Sequence, residues 1–360
     1  MLFRSPGDDI WRYVWEGYIQ LQGFNPYDFA PNAAELIPYR FEWWEQINND
    51  SISAIYPPLT KLGFRSLAAI APHFLLFKLA FVAADIFTCY LLTRKFTYWQ
   101  TTFYAWNPLI IYSFAGGGHY DSWFILPLVA AWLCCDLDAD KLANWFVGAF
   151  LVGISIAIKW ISLPILGFLS WQAWHKISFK TAIIVSICGL LPFLVSAIVF
   201  CNADSCYLIP TDSNFVSHGR SAEFIPYWLG KVWPVSRKTN SIFALPLGLA
   251  VLFLLAKARN FQQFTKHYFF ALLTISPIIH GWYFTWIVPF AVARKNLGVG
   301  LVSISSLAYF ILPYRQSLGH KNWRLTIIET LLLWLPFILG YFSNFTINLS
   351  AKDEKLRAKS

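Results

Sequence analysis

Between residues 74 and 343 the chain repeats one pattern, an apolar run followed by a short polar connection. The runs fall at 74–92, 97–114, 120–135, 142–158, 161–174, 181–200, 242–257, 267–280, 283–293, 297–313 and 325–343. A lipid bilayer demands such repetition, because each crossing helix takes about 20 apolar residues. Several runs are shorter than that, and Pro164, Pro192, Pro277, Pro289, Pro313 and Pro336 lie in or beside them. Prolines are tolerated there when neighbouring helices shield the loosened backbone. The expected fold is an all-α membrane protein, a multi-span helical bundle of about 11 membrane helices, some short or broken.

Composition excludes the alternatives. Hydrophobic residues make up 57% of the 360 and charged residues 13%, about half the charged share of an average soluble domain. A globule this apolar cannot cover its surface with polar side chains. A soluble enzyme, a disordered regulator and a nucleic-acid binder are therefore excluded. The net charge of +9 does not reverse this, since the bases come in twos and threes between apolar runs and form no block for a nucleic acid.

Charge placement sets the orientation. Residues 1–50 hold eight acids against three bases, while Arg94, Lys95, Lys141, Lys176, Lys180, Lys257, Arg259, Lys266, Arg294 and Lys295 cluster in alternate short connections. The positive-inside bias puts those connections in the cytoplasm. The chain then divides into an outward-facing acidic loop carrying interfacial helices (1–73), a transmembrane bundle (74–343) with an outward loop at 201–241, and a basic cytoplasmic tail (344–360). The implied location is the cell membrane, multi-pass, with the polar chemistry on the extracytoplasmic face. Within the acidic loop, Leu59–Ala71 reads as an interfacial or re-entrant helix. Trp11, Val14, Trp15 and Tyr18 share one helical face, expected to lie on the membrane surface. Cys201 and Cys206 can close a short loop if it faces an oxidising compartment.

Four segments can carry chemistry. Asp8 and Asp9 open G-D-D-I-W-R-Y-V-W-E-G at 7–17. One acid at a helix start is a cap or a first-turn charge; a second leaves room for a general base. In G-G-G-H-Y-D at 116–121, three glycines let the backbone turn sharply and His119 and Asp121 project, although a polar hairpin tip has the same look. His280 stands in I-I-H-G-W-Y-F-T-W between two short runs, and Lys159 ends an apolar helix where snorkelling would also place it. Together with His218 and Arg220, these groups fall on the expected outward side. Acids there can activate a hydroxyl, and cations can hold a lipid-linked phosphate. That suits sugar transfer better than solute transport, which uses ionisable groups near the midplane; Lys78 and Asp85 are the chief candidates there. A lipid or solute transporter and a non-catalytic membrane subunit remain as alternatives.

Taken in order, D-D-x-x-R-Y-x-W-E-G with G-x-N-P-Y (8–27), Y-P-P-L (56–59), W-N-P-L…G-x-G-H-x-D (106–121), the Lys159 helix with Pro164, and H-x-W-Y-x-x-W (280–286) extend over most of the chain. This set resembles the GT-C superfamily of polytopic glycosyltransferases, in particular bacterial mannosyltransferase-like members (GT87-like) that use polyprenyl-phosphate sugars. The resemblance implies an inverting hexose transfer, mannose first, onto a lipid-linked or glycan hydroxyl. It implies Asp9 or Asp8 as the base, with Lys159, His280 and Arg220 on the donor phosphate. His119, Asp121, Tyr56, Trp282 and Tyr283 become substrate contacts, and Tyr13 and Trp15 further stacking surfaces. No cofactor is required, although a divalent cation can sit among Asp8, Asp9 and Asp121. The partners are the lipid donor, the acceptor and membrane lipids. Family members carry a membrane helix before the acidic loop, so a further apolar helix is expected ahead of Arg4.

Overall fold

The computed structural model describes residues 9–137, 141–201, 206, 213–320 and 323–357. Among them every regular element is a helix, and the nearest thing to a strand is one isolated bridge between Ser221 and Ile278. In chain order the helices are α1 (Asp9–Leu21), α2 (Pro58–Ile70), α3 (Phe74–Thr93), α4 (Tyr98–Ala105), α5 (Pro108–Ile111), α6 (Ser122–Leu137), α7 (Leu142–Ile158) and α8 (Leu163–Lys176). There follow α9 (Phe179–Ala197), α10 (Asn214–His218), α11 (Ile225–Val232), α12 (Ala244–Lys257), α13 (Phe261–Ile275), α14 (Leu297–Ser305), α15 (Ile311–Ser317) and α16 (Ile327–Arg357).

Their limits follow from local chemistry. Pro58 begins α2 at a position where the missing N–H is no loss. Thr97 and Gln100 form a reciprocal capping box on α4. Asn107 precedes Pro108, ends α4, and accepts from the amides of Leu109 and Ile110 to start α5. The run 97–114, expected as one span, is broken for this reason into α4, α5 and a π-helical turn at Tyr112–Gly116. The run 283–293 is likewise no α-helix. It consists of 3₁₀ turns at Gly281–Trp286 and Pro289–Arg294, with Pro289 removing a donor where an α-helix would need one.

Three described helical stretches are long and apolar enough to cross a membrane: Phe74–Thr93, Phe179–Ala197 and Leu297–Ser317. Four shorter apolar helices accompany them at Ser122–Asp136, Leu142–Ile158, Ser241–Lys257 and Ile327–Ser343.

The chain forms two compact units, Met1–Lys95 with Tyr112–Val216 and Leu255–Phe264, and Phe96–Ile111 with Ser217–Leu254 and Thr265–Ser360. In the first, α7 packs against α6, α8 and α9. Gly153 of α7 lies so close to the Gly189 carbonyl of α9 that any side chain there would collide with backbone, the small-residue contact that lets membrane helices approach closely. Also in this unit, α1 packs on α2, with Gly17 pressed against the Phe64 backbone. In the second unit α14 and α16 meet at Gly298 and Gly340 in the same way.

One expectation fails clearly. The Trp11–Val14–Trp15–Tyr18 face does not lie open to a membrane surface. Trp11, Val14 and Trp15 are buried, Trp11 against Trp43 and Phe74, and the opposite positions Arg12, Tyr13 and Glu16 are buried as well. The 34–46 segment, the 48–53 loop, α2 and α3 enclose α1, so it is a core helix. Cys201 and Cys206 are joined by a disulfide.

Candidate functional site

Asp9 stands in the first turn of α1, where the helix dipole favours a negative charge. Its carboxylate is met from three directions. The Asn48 amide donates to Oδ1 at 2.7 Å, the Tyr13 hydroxyl donates to Oδ2 at 3.4 Å, and His119 Nδ1 lies 3.5 Å from Oδ2. One-fifth of the Asp9 side chain stays exposed, whereas His119 is buried. Asp8, the other expected base, lies outside the described residues.

The glycine turn delivers His119. The Lys78 ammonium donates to the Gly116 carbonyl at 2.7 Å, and Gly118 takes a left-handed φ of +68°. A Cβ on Gly118 would come within 3.0 Å of Ile10 and 3.1 Å of Lys78. The turn therefore needs glycine both for its conformation and for the close approach of α1 and α3. Tyr120 and Asp121 follow, both buried. Asp121 receives Lys159 Nζ at 2.5 Å, and Nζ also lies 5.3 Å from the centre of the Tyr120 ring. Lys159 is thus drawn inward by a buried carboxylate rather than outward to headgroups.

A third acid, Glu16, lies about two α-helical turns beyond Asp9 and is almost fully buried. It pairs with Lys61 of α2 and accepts from Arg12 Nε at 2.9 Å. Burial by itself would raise the Glu16 carboxyl, but the two cations hold it below the ordinary carboxylate range. Burial in turn lowers the Lys61 ammonium to about 8, with Glu16 resisting the shift. Arg12 spends its remaining donors on the loop that carries Asn48, reaching the carbonyls of Asn49 at 2.7 Å, Ile52 at 2.5 Å and Ser53 at 3.0 Å. Arg12 therefore shapes the loop whose amide orients Asp9.

Tyr13 packs edge-on against Tyr56 and Tyr120, whose rings are themselves 4.8 Å apart. Burial, then the Asp9 charge, pushes both the Tyr13 and the Tyr56 hydroxyl well above the ordinary phenol range. Both remain protonated donors at any physiological pH. Tyr13 and Trp15 are enclosed by protein and leave no face for a sugar ring, whereas Tyr56 is only half-buried. Lys61 has no exposed surface at all, so a ligand's phosphate cannot reach it.

The remaining expected residues belong to the second unit. His280 stacks on Trp282 at 4.6 Å and shares a 2.6 Å hydrogen bond with the Tyr309 hydroxyl. Tyr283 stacks on Trp286 at 4.2 Å. Arg220 donates to the Ser236 carbonyl at 2.5 Å and faces Glu223 at 4.0 Å. The two segments are joined directly, since Ser221 N donates to the Pro277 carbonyl and Ile279 N donates to the Ser221 carbonyl.

The structure thus gathers Asp9, Tyr56, His119, Asp121 and Lys159 in the first unit, and Arg220, His280, Trp282 and Tyr283 in the second. Sequence reasoning missed Asn48, the Arg12–Glu16–Lys61 network and Tyr309. No spacing rule links Asn48 to an acid 39 positions earlier. The one available hint was the four-residue spacing of Arg12, Glu16 and Gln20, and of Lys61 and Arg65, which sets each group on one helical face. Among the described residues no group of three His, Cys, Asp or Glu side chains is arranged to hold a metal.

Residues 6–175 match the family model of the MptA_B family, described as the N-terminal domain of an alpha-(1->6)-mannopyranosyltransferase. No curated protein and no solved structure matches the chain. The matched region takes in Asp9, the glycine turn and Lys159, and its similarity to a mannosyltransferase domain supports glycosyl transfer, and mannosyl transfer in particular, as the activity.

Proposed function

We propose that the chain is an integral-membrane mannosyltransferase of the GT-C type, GT87-like in its finer placement, acting at the extracytoplasmic face. It moves one mannose from a polyprenyl-phosphate donor to a hydroxyl of a lipid-linked or glycan acceptor, with inversion. The observation that carries this reading is the state of three acids within the matched region, Asp9, Glu16 and Asp121. Glu16 and Asp121 are committed to buried lysines, while Asp9 is oriented by Asn48, Tyr13 and His119 and still reaches solvent.

In this reading Asp9 accepts the acceptor's hydroxyl proton as that oxygen bonds to the anomeric carbon. The bond from that carbon to the phosphate oxygen breaks, and its electron pair leaves with the polyprenyl phosphate. The leaving group already bears charge, so a general acid is less needed than in glycoside hydrolysis. Cations steady the charge that grows on it; Lys159, His280 and Arg220 are assigned this task, Lys159 only when its pair with Asp121 opens. Tyr56, Trp282 and Tyr283 are assigned to the sugars; His119 and Asp121, both buried, are assigned to hold Asp9 and Lys159. No cofactor is required by this chemistry.

The test uses the purified chain with polyprenyl-phosphate mannose, glucose and arabinose donors. Mannose should be transferred fastest, and Asp9→Asn, which keeps size but removes proton affinity, should lower turnover by about 10²–10⁴-fold. Near-normal turnover by that variant, with folding intact, would reduce Asp9 to a first-turn charge and remove the reading's centre.

A further inference from the structure

Three arginines converge in the second unit around a single acid. Arg220 is tied to Ser236, the residue before Arg237. Its neighbour Ser221 accepts a 3.1 Å hydrogen bond from the Trp323 indole, the residue before Arg324. These two bonds bring positions 220, 237 and 324 to one place from three separate segments. Only 11% of the Arg220 side chain is exposed, and its Nε and Nη1 are buried without a hydrogen-bond partner; Glu223 faces Nη1 at the long distance of 4.0 Å. Arg237 and Arg324 are exposed. Burial lowers the Arg220 pKa first, Glu223 opposes this, and both Arg237 and Arg324 lower it further, so the two exposed guanidiniums do bear on the buried one.

Like charges so placed repel one another, and one carboxylate offsets only one of them. Guanidiniums supply planar forks of N–H donors that match phosphate oxygens. Beside them α11 presents Ile225, Trp228 and Val232, all exposed, at the i, i+3, i+7 spacing of one helical face, continued by exposed Trp233 and Val235. A phosphate receptor bordered by an exposed apolar row suits an amphiphile with an anionic head and a hydrocarbon tail.

We propose that Arg220, Arg237 and Arg324 form a receptor for the phosphate of a lipid monophosphate, whose hydrocarbon chain runs along the exposed face of α11. The inference deepens the reading above, since such a lipid is the carrier of the proposed donor. It extends the phosphate contacts to two residues with no earlier assignment.

The test is equilibrium binding of radiolabelled farnesyl phosphate to the full chain in phosphatidylcholine nanodiscs, without turnover. Arg237→Gln and Arg324→Gln are surface changes that should leave the fold intact. Each should weaken binding by about 10- to 150-fold, the worth of one charge-assisted hydrogen bond. Farnesol should not compete, and inorganic phosphate should compete only at far higher concentration. Unchanged affinity in both variants overturns the proposal. Equal competition by inorganic phosphate would make this a free-phosphate site, and loss of binding in phosphatidylglycerol nanodiscs would make it a general anionic-lipid anchor; either result also overturns it. Asp9→Asn should bind farnesyl phosphate normally. Binding that obeys these rules without any mannosyl transfer would refute the activity and leave the receptor standing.

Discussion

Replacing Glu16 by Gln isolates the buried network that supports Asp9. The wild-type carboxylate faces the Lys61 ammonium and the Arg12 guanidinium with almost no water access. Burial has brought Lys61 down from 10.5 to about 8. Between those two values the unfolded chain holds a proton that the folded chain has lost, so raising the pH through that window favours the folded state. Below about 8 the ammonium is charged in both states, and Glu16 offsets its desolvation. Glu16→Gln strips away that offset, and breaking a buried pair from one side costs about 3–5 kcal/mol. At pH 9 Lys61 is mostly neutral already, and the loss should shrink toward the roughly 1.5–3 kcal/mol of the remaining charged hydrogen bond with Arg12. Thermal unfolding of the detergent-solubilised variant at pH 6 and pH 9, each against wild type, reads the difference. The double variant Glu16→Gln/Lys61→Met should recover part of the pH 6 loss, because the unpaired ammonium is gone. An equal penalty at both pH values, with no recovery in the double variant, would refute the reasoning.

Lys159→Gln should destabilise the chain, because it leaves Asp121 buried without its ammonium; adding Asp121→Asn should restore part of the loss, and a thermal-shift series on the three variants checks this. Gly118→Ala should cost at least the roughly 1–2 kcal/mol of a left-handed non-glycine residue and lower transfer by moving His119, as unfolding and rate measurements on one preparation would show. Asn48→Ala should lower kcat by about tenfold or more, the loss of a hydrogen bond to a charged group, with a smaller effect on acceptor KM. Single cysteines at exposed Ser51 and Ser178 should label from opposite sides of the membrane, Ser51 from outside; labelling of both from one side would reject the proposed orientation.

The sequence by itself determined that the chain is helical and apolar, where the glycine turn lies, and that Asp9, His119, Asp121 and Lys159 carry unusual polarity for their surroundings. Those properties are local, because hydropathy, prolines and glycines act within a few residues of themselves. It misjudged the extent of several spans, since Pro108 and Pro289 let the backbone leave the α-helix inside runs that hydropathy reads as continuous. It also read α1 as a surface helix, because one apolar stripe does not reveal that the opposite side is filled by a charge network. Only the tertiary structure decided how the acids divide. Lys61, 45 residues from Glu16, and Lys159, 38 from Asp121, each occupy one carboxylate, and Asn48 orients the third. An isolated carboxylate has the same intrinsic chemistry at all three positions. Whether it serves as a structural counter-ion or a solvent-reaching base depends on which distant groups the packed helices bring against it, because desolvation and charge pairing act through space rather than along the chain.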